Sequence, residues 1–322
     1  MLDHGGNLDV AIRRFGGRLE DWFDLSTGIN RQPYPVGELQ PRSWAALPSR
    51  AEIEALHEAA RSAYGTKAPV LAVAGAQAAI QMLPQLAQPG RARILAPTYN
   101  EYAPILTAAG WHVERLGDRD ALAGADLAVV VNPNNPDGRQ HDPKLLLALA
   151  SRVKRLVIDE SFADAVPGAS LAAKAGRHGL LILRSFGKFY GLAGLRLGFV
   201  LGCEADVAAL TAMAGPWPIS GAAIEIGRRA LLDRAWADAT RARLARDAER
   251  LDTLARSASW RFLGGTPLFR LYETGDAVAA QERLARAKIW SRIFDHQPEW
   301  LRLGLPGNET EWMRLATALS AR

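Results

Sequence analysis

From residue 69 to residue 200, short apolar runs alternate with stretches of helical spacing, and this alternation restricts the fold more than any other feature of the chain. The runs are PVLAVAG, ARILAPTYN, WHVERLG, DLAVVVNPNN, RLVIDES, LLILRS and LRLGFVLG. Among them lie AQAAIQMLPQLA, EYAPILTAAG and PKLLLALASRV, whose apolar residues recur with helical period. Short apolar runs bounded by turn residues read as strands, and strands alternating with helices predict an α/β fold with a mostly parallel sheet and helices on both faces. In such sheets ligands sit beyond the carboxyl ends of the strands. Gly75, Tyr99, Asn135, Asp159 and Lys188 each follow an apolar run at such an end.

The flanks are read more coarsely. Residues 50–64, RAEIEALHEAARSAY, have helical spacing through Ile53, Leu56 and Ala60, and Tyr64 closes that helix before Gly65. Residues 204–256 are rich in Ala and Arg and largely helical after Pro216 and Pro218. The last segments alternate strand and helix again and predict a smaller α/β domain. The expected division is an arm over 1–44 associated with the small domain, a large domain over 45–205 and a small domain over 206–322. Within the arm, HGGN at 4–7 and LSTGIN at 25–30 stand out: either a flexible terminus or an extended segment over a ligand site.

Composition narrows the partners. The 322 residues carry a formal charge of +5, mostly arginine interleaved with acids on helical stretches such as Thr240–Arg256. That is a solvated helix face rather than a nucleic-acid surface, and the positive balance suits small anions. Cys203 is the only cysteine, so no intrachain disulfide and no cysteine-based metal site is expected, and no metal is called for. MLDHGGNLDV lacks a basic flank followed by an apolar run, and no later stretch is long enough to span a membrane. A cytoplasmic enzyme is expected.

Chemistry concentrates in Leu181–Phe199, LILRSFGKFYGLAGLRLGF. Lys188 lies between Phe186, Phe189 and Tyr190. A lysine that loses hydration among aromatics moves toward the neutral amine that attacks carbonyl carbon. Ser185 and Arg196 add a hydroxyl and a planar cation, which suit a phosphate dianion. Gly75-Ala76-Gln77 follows a strand and opens a helix, so its backbone N–H groups suit a phosphate as well, while the dinucleotide pattern G-x-G-x-x-G is absent there. Asp159, in VIDES, ends a strongly apolar strand. A buried carboxylate there needs a partner; a helix cap is its plainer role.

The string SFGKFYGLAGLRLG resembles the lysine segment of the fold-type I enzymes that use pyridoxal 5'-phosphate, the aspartate aminotransferase superfamily. The resemblance implies Lys188 as the Schiff-base lysine, with Ser185, Arg196 and the Gly75-Ala76-Gln77 turn on the cofactor phosphate. It implies that Tyr99, in PTYNEY, stacks on the cofactor ring, that Asn135, in NPNNPDG, hydrogen-bonds its phenolic oxygen, and that Asp159 holds its ring nitrogen. Tyr64 resembles the tyrosine that reaches the phosphate of the neighbouring subunit, which implies a homodimer with shared sites. Arg302, in EWLRLGLPG, matches the arginine that binds a substrate carboxylate.

One departure narrows the reaction. Where the superfamily commonly has a tyrosine two positions after the Asp-Glu pair, this chain has Phe162. With HGGN and LSTGIN, the pattern is similar to the branch that decarboxylates a small phosphorylated amino acid, the alternative being an aminotransferase for a phosphorylated amine of the histidinol-phosphate kind. A protein of this fold that only binds a ligand is the third reading, against which Lys188 stands. By the resemblance His4, Gly5, Asn30 and Asn135 join Arg292 around the substrate, with Arg292 on its phosphate. Decarboxylation and transamination use the same residues, and orientation at the substrate's Cα separates them.

Overall fold

The computed structural model describes residues 5–320 and divides into two units. The larger comprises Tyr34–Asn135 and Gln140–Asp238. Its sheet has seven strands: β1 (Val70–Val73), β2 (Arg91–Leu95), β3 (His112–Leu116), β4 (Leu127–Val131), β5 (Leu156–Asp159), β6 (Leu180–Ser185) and β7 (Gly198–Leu201). Their spatial order is β1-β7-β6-β5-β4-β2-β3. Pairing is parallel from β3 through β6, and β7 runs antiparallel to both β6 and β1. Every residue of β1, β4, β5 and β7 is buried, as expected for strands covered on both faces. Exposed side chains of the sheet are confined to His112 and Arg115 of the edge strand β3 and to Arg91 at the start of β2. The α/β architecture expected from the alternation is therefore present.

Register is what places the site. Val131 of β4 pairs with Asp159 of β5, and Asp159 pairs with Leu183 of β6. The carboxyl ends of three adjacent strands thus come level: Asp159 closes β5, and the segments that follow β4 and β6 carry Asn135 and Lys188.

Among the helices of this unit, α1 (Arg50–Tyr64) begins at a capping box in which Ser49 and Glu52 exchange hydrogen bonds, and ends at Gly65 in the left-handed conformation. Next come α2 (Ala76–Met82), α3 (Tyr102–Ala108), α4 (Pro143–Ala150), the single turn α5 (Phe186–Phe189), α6 (Glu204–Ala214) and α7 (Gly221–Leu232). Helices α6 and α7 pack on this unit, against β1 and α1 respectively, rather than with the C-terminal segment. The reason lies on α7, whose buried face of Ala223, Ile226, Gly227 and Ala230 needs a flat partner. At Gly227 a Cβ would stand 2.5 Å from Leu197 and 3.1 Å from Leu56 of α1, so a side chain there would have to push both leucines aside.

The smaller unit comprises the residues up to Pro33, Pro136–Arg139 and those from Ala239 onward. The helix α8 (Arg234–Ser257) leads into it. Four antiparallel strands follow, β8 (Arg261–Thr266), β9 (Phe269–Glu273), β10 (Arg292–Phe294) and β11 (Gln297–Gly304), in the order β10-β11-β9-β8, with helices α9 (Ala277–Arg286) and α10 (Glu309–Ser320). Phe23–Asp24 pairs in parallel with Ile289–Trp290, which stitches the N-terminal segment to this unit. Arg31 adds an ion pair with Glu311 of α10, its Nε 3.0 Å from Oε2.

Candidate active site

Beyond the strand ends, one cavity of the larger unit is lined by Gly75, Ala76, Gln77, Tyr99, Asn135, Asp159, Ser185, Lys188 and Arg196, together with Ser161 and Phe162. Nine residues singled out from separate parts of the sequence therefore meet.

One end of the cavity is built for an anion. Gly75 sits at φ 77° before α2, and a Cβ there would lie 2.5 Å from Nη2 of Arg196. The missing side chain is what admits the guanidinium. Arg196 is itself in the left-handed region at φ 53°, with Nη1 donating to the Ala193 carbonyl at 3.2 Å. Gly198 on β7 would likewise place a Cβ 2.5 Å from the Ala76 nitrogen, so the strand presses close to the turn. With the Ser185 hydroxyl at the end of β6, the donors available here match a phosphate.

The middle of the cavity is aromatic. The Tyr99 hydroxyl donates to Oε1 of Gln77 at 3.3 Å, and Nε2 of Gln77 donates to Glu101 at 3.0 Å. This chain of bonds holds the Tyr99 ring by its far end. Burial, then the charges of Glu101 and Asp159, push the Tyr99 phenol up to about 12, so it is a neutral donor at physiological pH. Asn135 follows a loop that its neighbours pin. Asn132 donates to the Ala169 carbonyl and accepts from the His141 amide, while Asn134 bonds both Thr98 and the Pro97 carbonyl.

At the far side Asp159 is buried to 3% exposure. Its Oδ1 accepts from the Ser161 amide at 2.9 Å and the Ser161 hydroxyl at 2.5 Å, and its Oδ2 accepts from the Tyr102 hydroxyl at 2.7 Å. These bonds stabilise a carboxylate that would otherwise be costly to bury. Lys188 lies on α5 with Nζ 5.7 Å from the centre of the Phe162 ring. Its sequence neighbours Phe186, Phe189 and Tyr190 are buried and pack on one another and on Trp236, which anchors the turn that carries it.

The remaining candidates belong to the smaller unit, except Tyr64. His4 lies outside the described residues. Gly5 abuts Ser26, whose carbonyl oxygen a Cβ would meet at 2.5 Å. Asn30 is buried, and its Oδ1 accepts from Arg243 at 2.8 Å and from the Gln32 amide at 3.0 Å. Arg292 and Arg302 are direct partners across β10 and β11. Burial, then the charge of Arg292, lowers Arg302 to about 10 against the opposing effect of Asp24, and its Nη2 donates to the Ser26 carbonyl at 2.6 Å. As cross-strand partners the two arginines lie on the same face of the sheet.

Tyr64 departs from its expected role. It is buried in its own chain, its ring 4.3 Å from the Arg184 guanidinium and edge-on to Phe199 at 5.7 Å, and it does not line the cavity. A side chain so enclosed cannot extend to a neighbouring subunit. At the end of α1, Tyr64 instead covers Arg184 of β6 with its ring. Sequence reading also passed over Tyr102, Ser161 and the buried group of Glu160, Asp164 and Arg184. Tyr102 follows Tyr99 by three residues in PTYNEY, which is the signal that could have found it.

Comparison with known proteins gives the family and the fold. The model of the family described as aminotransferase class I and II matches residues 30–319. A threonine-phosphate decarboxylase of a Sinorhizobium species is 44% identical, the match covering 98% of this chain and 97% of that protein. The threonine-phosphate decarboxylase of Pseudomonas aeruginosa is 43% identical over 99% and 97%. Among solved structures, the histidinol-phosphate aminotransferase from Sinorhizobium meliloti in complex with pyridoxal-5'-phosphate aligns with a TM-score of 0.81 at 19% identity, covering 99% of this chain and 94% of that one.

Proposed function

This chain belongs to the aminotransferase class I and II family, and we propose that it is a pyridoxal-phosphate enzyme that decarboxylates L-threonine O-3-phosphate to (R)-1-amino-2-propanol O-2-phosphate, a step of cobalamin biosynthesis. The observation that carries the choice of reaction is the near-full-length identity of 44% with a threonine-phosphate decarboxylase. The cavity fits the cofactor independently: the cradle in which a Gly75 Cβ would collide with Arg196 matches its phosphate, and Asp159 and Lys188 line the same space.

When bound, the cofactor supplies a sink for the electron pair left at the substrate's Cα. The chain's residues do the rest. Ser185, Arg196 and the amides after Gly75 hold the phosphate. Tyr99 would cover the ring, Asn135 would donate to its phenolic oxygen, and Asp159 would hold its ring nitrogen. Lys188 would hold the cofactor's aldehyde, and its amine is the group that would hold and deliver a proton at the substrate's Cα. Phe162 brings no hydroxyl to the phenolic oxygen. Arg302 and Arg292 are the side chains we assign to the substrate's carboxylate and phosphate, with Gly5 and Asn30 beside them. The bond from Cα to the carboxylate breaks, carbon dioxide leaves, and a proton takes its place.

We further propose a cytoplasmic homodimer. Among the described residues no helix is long and apolar enough to cross a membrane. Trp44 and Leu47 are exposed at 71% and 64% on the segment before α1, apolar surface that a second copy would cover.

Purified protein with pyridoxal phosphate and O-phospho-L-threonine, followed by phosphorus and proton NMR, tests the reaction. Aminopropanol phosphate forming without any 2-oxo acid is the expected result. Amino transfer from histidinol phosphate to 2-oxoglutarate, with no decarboxylation, would replace it with the aminotransferase reading.

A further inference from the structure

We propose that Tyr102 is the positioning residue that makes Asp159 selective for a protonated ring nitrogen, fixing the one acceptor site that this carboxylate offers to the cavity. The inference rests on the reading that pyridoxal phosphate occupies that cavity. A carboxylate has about four acceptor directions, two on each oxygen. Ser161 fills both on Oδ1, through its amide at 2.9 Å and its hydroxyl at 2.5 Å. Tyr102 fills one on Oδ2 at 2.7 Å. One direction of Oδ2 then remains for a ligand in the cavity that Asp159 lines. Three donors around one carboxylate leave it no freedom to rotate.

The packing does not ask for this hydroxyl. Tyr102 is 1% exposed at the first position of α3, within the core formed by Leu71, Ile80, Leu106 and Val129. A phenylalanine would fill the same volume. A phenol buried there without a partner would be costly, so its bond to Asp159 is what accounts for the oxygen. Burial and the Asp159 charge raise the Tyr102 phenol well above its ordinary value, so it stays a donor at any pH at which the protein works. Tyr99, three residues earlier, meets Tyr102 edge-on at 6.3 Å between ring centres. A single turn of chain thus carries both the aromatic that covers the cofactor ring and the hydroxyl that aims the carboxylate.

The test compares binding of two ligands to apoprotein: pyridoxal 5'-phosphate, and its analogue with a C–H in place of the ring nitrogen. Both share the phosphate, the aldehyde and the ring face, so their affinity ratio reads the contact with Asp159 alone. Wild type is expected to prefer pyridoxal phosphate. In Tyr102→Phe the preference should fall by about fivefold or more, with the analogue's affinity changed less than about twofold. The apoprotein's thermal transition and circular dichroism establish that the variant is folded. An unchanged ratio, or equal weakening of both ligands, would overturn the positioning role and reduce Tyr102 to a packing residue. A wild type that binds both ligands equally would overturn it too, by removing the Asp159 contact on which it depends. A wild type that binds neither would instead strike the cofactor reading itself.

Discussion

Asp159 and Glu160, consecutive residues at the end of β5, are both buried carboxylates, yet their surroundings differ in kind. Consecutive side chains of an extended chain leave it in opposite directions. Asp159 enters the cavity with hydroxyl and amide donors around it and no cation bonded to it among the hydrogen bonds described above. Glu160 meets Arg184 at 2.7 Å, the Ser170 hydroxyl at 2.5 Å and the Leu171 amide at 2.6 Å, and Arg184 reaches on to Asp164. Burial works against the charge on Arg184, but Asp164 and Glu160 more than offset it, and Tyr64 covers the guanidinium with its ring. The closed group pairs its charges within the chain and lines no part of the cavity. The open one is held as firmly and keeps a site for a ligand. Buried polar groups thus divide into those that fix the fold and those that fix a reactant, by whether a bonding direction faces a cavity.

Substitutions on the two sides should separate stability from chemistry. The largest effect belongs to the open side: Lys188→Ala should lower turnover by about 10⁴-fold or more while the apoprotein's urea midpoint stays near wild type. Steady-state rates and a denaturation curve check this, and substantial turnover would remove Lys188 from the mechanism. On the closed side Arg184→Ala should behave oppositely, costing about 3–5 kcal/mol because Glu160 and Asp164 are left buried without their cation. A loss below about 1 kcal/mol would mean the two groups do not differ as described.

The neighbouring carboxylates make a sharper pair. Asp159→Asn should cut turnover by about 10²-fold, whereas Glu160→Gln should cost about 1–3 kcal/mol of stability and leave cofactor affinity within about twofold. Equal effects on cofactor affinity would erase the distinction between them. The smallest expected effect is alkaline. The folded Tyr99 phenol lies near 12, above the ordinary 10.0, so its contribution to stability is complete below pH 10 and is lost as pH rises from about 10 toward 12. Tyr99→Phe should therefore show a shallower fall of urea midpoint over that range. An identical slope in both proteins would assign the loss elsewhere, Tyr64 on the closed side being the first place to look, since burial raises it as well.

Legibility followed distance along the chain. Lys188, Ser185 and Arg196 lie within twelve residues of one another, and their spacing carried a recognisable pattern. Tyr102 was hidden because its bond to Asp159 spans 57 residues and ends on an atom that no local pattern specifies. Tyr64 shows the converse. The family resemblance implied a residue reaching to a neighbouring subunit, but the partner that captures it, Arg184, arrives 120 residues later from β6.

By itself the sequence determined the alternation of strand and helix, hence the α/β layers, because apolar periodicity decides which faces must leave water. It also determined the lysine turn and the glycines, because those depend on a few adjacent residues. Only the tertiary structure decided which side of β5 became a binding cavity and which a sealed ion cluster. Register brings Val131, Asp159 and Leu183 level; α3 and the loop after β5 then supply the donors to Asp159, while β6 and the Ser170–Leu171 loop supply those to Glu160. A buried carboxylate takes its partners from whatever the fold lays beside it, and that choice is made across the sheet rather than along the chain.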